Sequence, residues 1–164
     1  MQSQLQSVEN LPRGIRPRKF VFVLLPKFTL LSFTSALECL RISNRMANQV
    51  LYSWELVSEN GAPITCSAEI EFSIDYDLGE LNRDDTIMVC GGENIRAATT
   101  KRLLSWLRRE SRRGLAIAGL CTGAFPMAKA GLLEGKRATI HWENQDSFAE
   151  EFESVELTKS VFII

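Results

Sequence analysis

Two unbroken apolar runs constrain the fold of this chain more than any other feature of its sequence. Residues 20–25 read FVFVLL and residues 87–90 read IMVC, so neither run alternates between apolar and polar positions. A strand with two apolar faces must be covered on both of them, as in parallel sheets packed between helices. Segments with helical spacing of apolar residues follow the runs, at residues 32–46 and about 96–113. We therefore expect an α/β fold with a mainly parallel sheet and helices on both faces.

The same alternation continues along the rest of the chain. Further strands are predicted at residues 51–57, 64–66, 115–118 and 137–140, with a half-exposed strand at 70–74 and a strand-like segment at 155–164. A last helix carries Phe148 and Phe152, four residues apart. Gly114 is expected to end the helix before it in a left-handed cap. We interpret the five arginines between residues 102 and 113 as a solvated helix face.

Cys121 lies between Gly119 and Gly123, directly after the apolar run at residues 115–118. This pattern is typical of a nucleophile elbow, in which a strand turns sharply into a helix and presents the middle side chain above the sheet. A thiol at the start of a helix can be reactive where an ordinary buried thiol is inert. The alternative is a small buried residue at a tight turn, without any chemistry.

Three predicted strands end in residues that could form one ligand site. Gly92, Cys121 and His141 each come shortly after a strand, and ligands of parallel sheets bind outside the carboxyl ends of the strands. The candidate ligand-binding residues are Gly92, Glu93, Cys121, Thr122, His141, Trp142 and Glu143.

We assign expected roles to these candidates by their chemistry. Backbone N–H groups near Gly92, Glu93 and Thr122 are expected to face Cys121 and accept an anion. Trp142 and Glu143 offer a π face and a negative charge to a cation, although a tryptophan beside a helix start also commonly points into the core. A purely structural role is the alternative for His141, the only histidine of the chain.

The composition excludes several classes of protein. The chain has 19 basic and 20 acidic residues, so no overall electrostatic field favours binding to nucleic acid or to a membrane. Its four cysteines show neither a CxxC pair nor metal-ligand spacing, and its start does not resemble a secretory signal. We expect a reduced cytoplasmic protein without metal or cofactor, in which a mobile lead-in at 1–17 precedes one domain at 18–164.

Three segments of the second half resemble a known superfamily. They are GLCTGAF at 119–125, AGLLEGKRAT at 130–139 and HWEN at 141–144. Together they are similar to the ThiJ/PfpI superfamily, which is class I glutamine amidotransferase-like. More narrowly, they resemble the N-terminal sensor domain of AraC-type transcriptional regulators, over about residues 19–164. The resemblance implies a flavodoxin-like three-layer sandwich that forms a homodimer.

The resemblance also implies a function. The HWEN form resembles regulators that respond to arginine, carnitine or glycine betaine, so we expect a sensor that binds a small zwitterionic effector to control catabolic genes. DNA would be contacted only through a C-terminal helix-turn-helix region. We expect this chain to stop before that region, because it ends at residues 161–164 within the strand-like segment.

The alternative function is a cysteine-dependent hydrolase or glyoxalase-like enzyme that uses Cys121 and His141. In the enzymatic branches of the superfamily, a histidine follows the cysteine or an acidic residue from the first helix region reaches the thiol. Here Thr122 follows the cysteine, and the matching stretch at residues 27–33 holds no carboxylate. We therefore do not expect catalysis.

Overall fold

A computed structural model describes residues 16–164 of the chain. Nearly all of the lead-in predicted at residues 1–17 therefore lies outside the described residues. In chain order, the strands are β1 (Arg18–Leu24), β2 (Tyr52–Val57), β3 (Ile64–Thr65), β4 (Glu71–Phe72), β5 (Thr86–Cys90), β6 (Ala116–Leu120), β7 (Arg137–Ala138) and β8 (Glu156–Leu157). The helices are α1 (Leu30–Ala47), α2 (Ile95–Ala98), α3 (Lys101–Arg112), α4 (Ala124–Lys129) and α5 (Gln145–Glu151).

The central sheet has four strands in the order β2-β1-β5-β6, and every neighbouring pair is parallel. A short antiparallel ribbon, β3-β4, and a short parallel pair, β7-β8, stand apart from it. The predicted α/β class with a mainly parallel sheet is confirmed. This arrangement brings the carboxyl ends of β1, β5 and β6 to one edge of the sheet.

The two apolar runs are buried on both faces, as their composition predicts, except that Phe20 and Met88 are half-buried. Val21 and Val23 of β1 pack with Leu103 and Leu107 of α3 in one core cluster. Phe22 and Leu24 point the other way, into a second cluster that contains Phe28 and Phe33. All of these side chains are buried. The sheet therefore forms the middle layer of the three-layer sandwich.

The prediction of one continuous helix over about residues 96–113 is wrong, because the structure has two helices there. α2 ends at Ala98, and α3 begins only at Lys101. Thr100 is the N-cap of α3, and its hydroxyl accepts a hydrogen bond of 3.1 Å from the N–H of Leu103. That bond replaces a missing helical partner, so the threonine starts a new helix instead of continuing the old one. The predicted end is confirmed, because Gly114 has a φ of 90° after α3.

The strand-like segment predicted at residues 155–164 is only partly a strand. Pairing in β8 is limited to Glu156 and Leu157, because its partner β7 is itself only Arg137–Ala138. Val161, Phe162 and Ile164 are exposed. The apolar composition therefore predicts too great a length for this strand. In the described residues, the only strand beside it is the two-residue β7. No helix in the described part of the chain is long and apolar enough to cross a membrane.

Three of the arginines interpreted as a solvated face are structural. Arg109 and Arg113 bind the fully buried carboxylate of Glu110, at 2.7 and 2.6 Å. Arg113 also donates to the carbonyl of Leu81, and Arg108 donates to the carbonyls of residues 129 and 130. Arg108 and Arg109 remain exposed, but the guanidinium groups of all three bind neighbouring backbone carbonyls. The charge pattern alone does not distinguish arginines that bind neighbouring backbone from arginines that only face solvent.

Candidate functional site

A cleft of about 810 Å³ opens at the carboxyl ends of the central strands. It lies where the loops after β1, β5 and β6 meet the segment after β7. The lining residues that follow these four strands are Thr29, Gly92, Cys121 and His141. The three strand ends predicted to converge therefore do so, together with the end of β1. Of the predicted site residues, the cleft is lined by Gly92, Glu93, Cys121, Thr122, His141 and Glu143.

Cys121 occupies the turn between β6 and α4. Its φ of 57° is left-handed, which is an uncommon and strained conformation for a residue with a side chain. The glycines on either side allow close backbone approach: a Cβ at Gly119 would lie 2.7 Å from the nitrogen of Ala124. One at Gly123 would lie 2.1 Å from the carbonyl oxygen of Val89. The predicted nucleophile elbow is present, and its thiol is partly exposed to the cleft.

The thiol of Cys121 is hydrogen-bonded to Thr29. The two atoms, Sγ and Oγ1, are 3.2 Å apart, and either can donate. Thr29 is also the N-cap residue of α1, yet its side chain makes no cap hydrogen bond. The hydroxyl of Ser67 accepts from the N–H of Leu30 instead, at 3.4 Å. The Thr29 hydroxyl is thus directed at the cleft rather than at its own helix.

Sequence reasoning did not identify Thr29 as a site residue. The resemblance to enzymatic relatives draws attention to residues 27–33 only because this stretch lacks a carboxylate. The available signal was a threonine a few residues after a buried strand and directly before a helix, in a loop at the carboxyl end of a strand like those of the other site residues.

The end of β5 is closely packed against the loop after β1. A Cβ at Gly92 would lie 1.9 Å from the carbonyl oxygen of Lys27. That same oxygen accepts a hydrogen bond of 3.1 Å from the N–H of Glu93. The expectation that the Glu93 N–H belongs to an anion-accepting group is therefore wrong, because this donor is already used. Thr122 donates from its hydroxyl to the carbonyl of Gly92 at 2.8 Å, which ties the elbow to the β5 loop.

The segment after β7 is tied to the elbow through its backbone. The N–H of His141 donates to the carbonyl of Cys121 at 3.3 Å. The Nδ1 atom of His141 lies 3.8 Å from a carboxylate oxygen of Glu143. The ring of Trp142 lies beside that of His141, with 5.7 Å between the ring centroids. The side chain of Trp142 is 71% exposed, so the alternative that it points into the core is wrong.

Trp142 is not among the residues that line the cleft. It begins a single turn of 3₁₀ helix at Trp142–Asn144 and faces outward beside the cleft opening. Its role in ligand binding stays a prediction.

The cleft contains charges of both signs. Glu93 and Glu143 supply carboxylates at its edge, and Arg96 supplies a guanidinium. Arg96 is paired with Glu151 and lies over the ring of Phe125, 5.0 Å from its centroid. The polar lining residues that sequence reasoning missed are Thr29, Ser67, Asn94, Arg96 and Asn144. They lie in loops and short helices, where no periodic pattern marks them.

Among the described residues, no side chain that could act as a general base is hydrogen-bonded to the thiol of Cys121. The side-chain hydrogen bond of Cys121 is with Thr29, and the imidazole of His141 makes none with the sulfur. A neutral threonine hydroxyl does not remove a proton from a thiol near neutral pH, because that role needs a group with a pKa close to the working pH.

The chain is similar in sequence to curated transcriptional regulators. The HTH-type transcriptional regulator CdhR of Pseudomonas aeruginosa is 39% identical over 145 residues, which are 88% of this chain and 43% of that protein. The HTH-type transcriptional regulator GbdR of the same species is 32% identical over 153 residues, 93% of this chain and 42% of that protein. The chain therefore spans less than half the length of these curated relatives.

A solved structure of an AraC family transcriptional regulator from Pseudomonas putida superposes with a TM-score of 0.76. It is 26% identical, and the match covers 90% of this chain and 80% of that one. A family model described as the DJ-1/PfpI family matches residues 18–161, from the start of β1 to beyond β8. With its parallel sheet and its cysteine elbow, the chain belongs to the DJ-1/PfpI family.

Proposed function

We propose that this chain is the ligand-sensing domain of an AraC-family transcriptional regulator, and that it binds a small zwitterion in the cleft around Cys121. The observation that carries the proposal is the combination of a polar cleft bearing charges of both signs with a thiol that has a hydroxyl, rather than a base, as its partner. Such a site can hold a charged ligand without transforming it.

The relatives support the regulatory part of the proposal. Both curated proteins carry names of transcriptional regulators, and their matching parts are less than half of their length. On this proposal the chain acts in the cytoplasm as a homodimer and controls catabolic genes. DNA is contacted through a C-terminal helix-turn-helix region rather than through this domain.

The charges and hydrogen-bonding groups of the cleft support a zwitterionic ligand. Glu93 and Glu143 line it, and neither forms an ion pair with lysine or arginine among the described residues. They suit an amino, guanidinium or quaternary ammonium group. The guanidinium of Arg96, the ring of His141 and the hydroxyl of Ser67 offer hydrogen bonds to a carboxylate on the same molecule. A ligand that carries both charges therefore uses more of the cleft than a purely cationic or anionic one.

The test is a thermal-shift titration of the chain with glycine betaine, carnitine and arginine. A ligand at a hundredfold excess over its dissociation constant stabilises the native state by about 2.7 kcal/mol. For a domain of this size, that energy corresponds to a rise in Tm of roughly 5 to 11 °C. The shift should shrink in the variant His141→Ala and persist in the variant Arg102→Gln, whose side chain pairs with Asp77. A folded chain that shows no shift with any of these zwitterions contradicts the ligand class.

The elbow itself favours one alternative, a cysteine-dependent hydrolase or glyoxalase-like enzyme. Its test is turnover of amides, peptides and glyoxal-type aldehydes by the isolated chain, with Cys121→Ser as the matched control. We expect no turnover above that of the control. Hydrolysis at ordinary enzymatic rates that Cys121→Ser abolishes would establish the enzyme and contradict the sensor.

A further inference from the structure

Arg96 faces two different parts of the molecule. It lines the cleft, where it is the only lysine or arginine among the lining residues that the structure describes. It also pairs with Glu151 at the end of α5. Its side chain is 59% exposed, so the guanidinium has room to change partners.

Glu151 has a second cation that holds it independently of Arg96. One carboxylate oxygen accepts from Arg96, and the other accepts from Lys129 at 2.7 Å. The hydrogen bond from Lys129 lowers the pKa of Glu151, and the bond from Arg96 adds to the effect. If Arg96 moved away, Glu151 would still be paired with Lys129. The departure of Arg96 therefore does not leave an unpaired carboxylate behind.

The aromatic surface under this cluster limits where Arg96 can move. Its guanidinium lies over Phe125, and the ammonium group of Lys129 lies 5.9 Å from the ring centroid of Phe152. Phe125 and Phe152 pack edge to face, 5.4 Å apart. The planar guanidinium can slide over such a ring while it keeps its stacking, and its paired N–H groups match the two oxygens of a carboxylate.

We propose that Arg96 binds the carboxylate of the effector, exchanging Glu151 for the ligand while Lys129 keeps Glu151 paired. The inference rests on the proposed function, since it assigns one end of the proposed zwitterion. The carboxylate lies at Arg96, and the cationic end lies toward Glu93 and Glu143 on the cleft edge. Glu151 thereby acts as an internal competitor that the ligand must displace.

The test is calorimetric titration of the chain with glycine betaine and with choline, which has the quaternary ammonium group but no carboxylate. Arg96→Gln should weaken the binding of glycine betaine about tenfold and leave choline unaffected. Glu151→Gln should have the opposite effect and tighten the binding of glycine betaine about two- to fivefold, because Arg96 no longer has to leave an ion pair. Arg102→Gln is the matched control and should change neither affinity.

The outcomes separate this inference from the function on which it rests. Binding of glycine betaine by the unmodified chain that neither Arg96→Gln nor Glu151→Gln changes would overturn the exchange and leave the sensor intact. No binding of any zwitterion by the folded chain would overturn both. Because Glu151→Gln leaves Arg96 in place, it tests the exchange even if the Arg96 variant does not fold.

Discussion

Gly123 is the elbow residue with the least room for a larger side chain. Because Gly123 has no Cβ, the backbone after Cys121 can pass close to β5. A Cβ at this position would lie 2.1 Å from the carbonyl oxygen of Val89. We expect Gly123→Ala to lower the free energy of unfolding by about 3 kcal/mol, because backbone on both sides must shift. Urea denaturation measures the loss. Gly79→Ala is the control, since a Cβ there meets its nearest atoms only at 4.0 Å, and an equal loss in both variants would contradict the explanation.

The four thiols differ in their environment and should differ in reactivity. Cys39 is exposed and Cys121 is partly exposed, whereas Cys66 and Cys90 are buried. Burial raises the pKa of the Cys90 thiol, so the reactive thiolate is suppressed there. We expect a maleimide reagent to label Cys39 and Cys121 in the native protein and to label the other two only after unfolding. Peptide mass spectrometry assigns the labels, and rapid native labelling of Cys90 would contradict the packing.

The lowered pKa of Glu151 gives its ion pairs a definite pH dependence. A carboxyl group whose pKa is lower in the folded state stabilises the fold above its unfolded value, near 4.5, and loses that contribution as the pH falls through the folded value. The stability difference between the unmodified chain and Glu151→Gln should therefore be present at pH 7 and disappear in acid. Urea denaturation over a pH series measures it, and a difference that grows on acidification would contradict the pairing.

α3 acts as a clamp on the loop that precedes β5. The indole N–H of Trp106 and the guanidinium of Arg109 both donate to the carbonyl of Gly79, at 2.7 and 2.8 Å. Glu110 holds Arg109 and Arg113 in place from a fully buried position. We expect Glu110→Ala to cost about 2 kcal/mol of stability, since it removes the buried carboxylate that both guanidinium groups contact, while Arg113 keeps its ion pair with Glu80. Chemical denaturation checks this, with the exposed Glu150→Ala as control, and a loss under 1 kcal/mol would contradict the clamp.

Elements with a strong hydrophobic pattern were predictable from the sequence, whereas the lengths of the short paired strands were not. β1 and β5 were found because an unbroken apolar run has few alternatives to burial on two faces. The break between α2 and α3 was missed because it depends on one threonine hydroxyl that caps a helix, which interrupts no hydrophobic pattern. The extent of β8 was overestimated because its length is set by its partner β7.

At the scale of the whole molecule, the topology brings the site together. Residues distant in sequence, Thr29 and Cys121, come within hydrogen-bond distance because β1 and β6 flank β5 in a parallel sheet. Sequence reasoning found the residues that directly follow strands. It missed Arg96, because the role of this residue depends on Glu151 and on Phe125, and neither is adjacent to it in the chain.

Binding of a zwitterion in the cleft at the elbow is the central claim, and a backbone NMR titration with glycine betaine tests it most directly. We predict that saturating ligand shifts the amide signals of Gly92, Cys121, Thr122 and His141, which line one cleft from three separate segments of the chain. A second cleft, of about 680 Å³, is lined by residues that include Gly131, Glu134 and Ser154, and the signals of these residues should change little. Shifts that are absent at saturation, or that centre on the second cleft and leave Cys121 unchanged, would contradict the account.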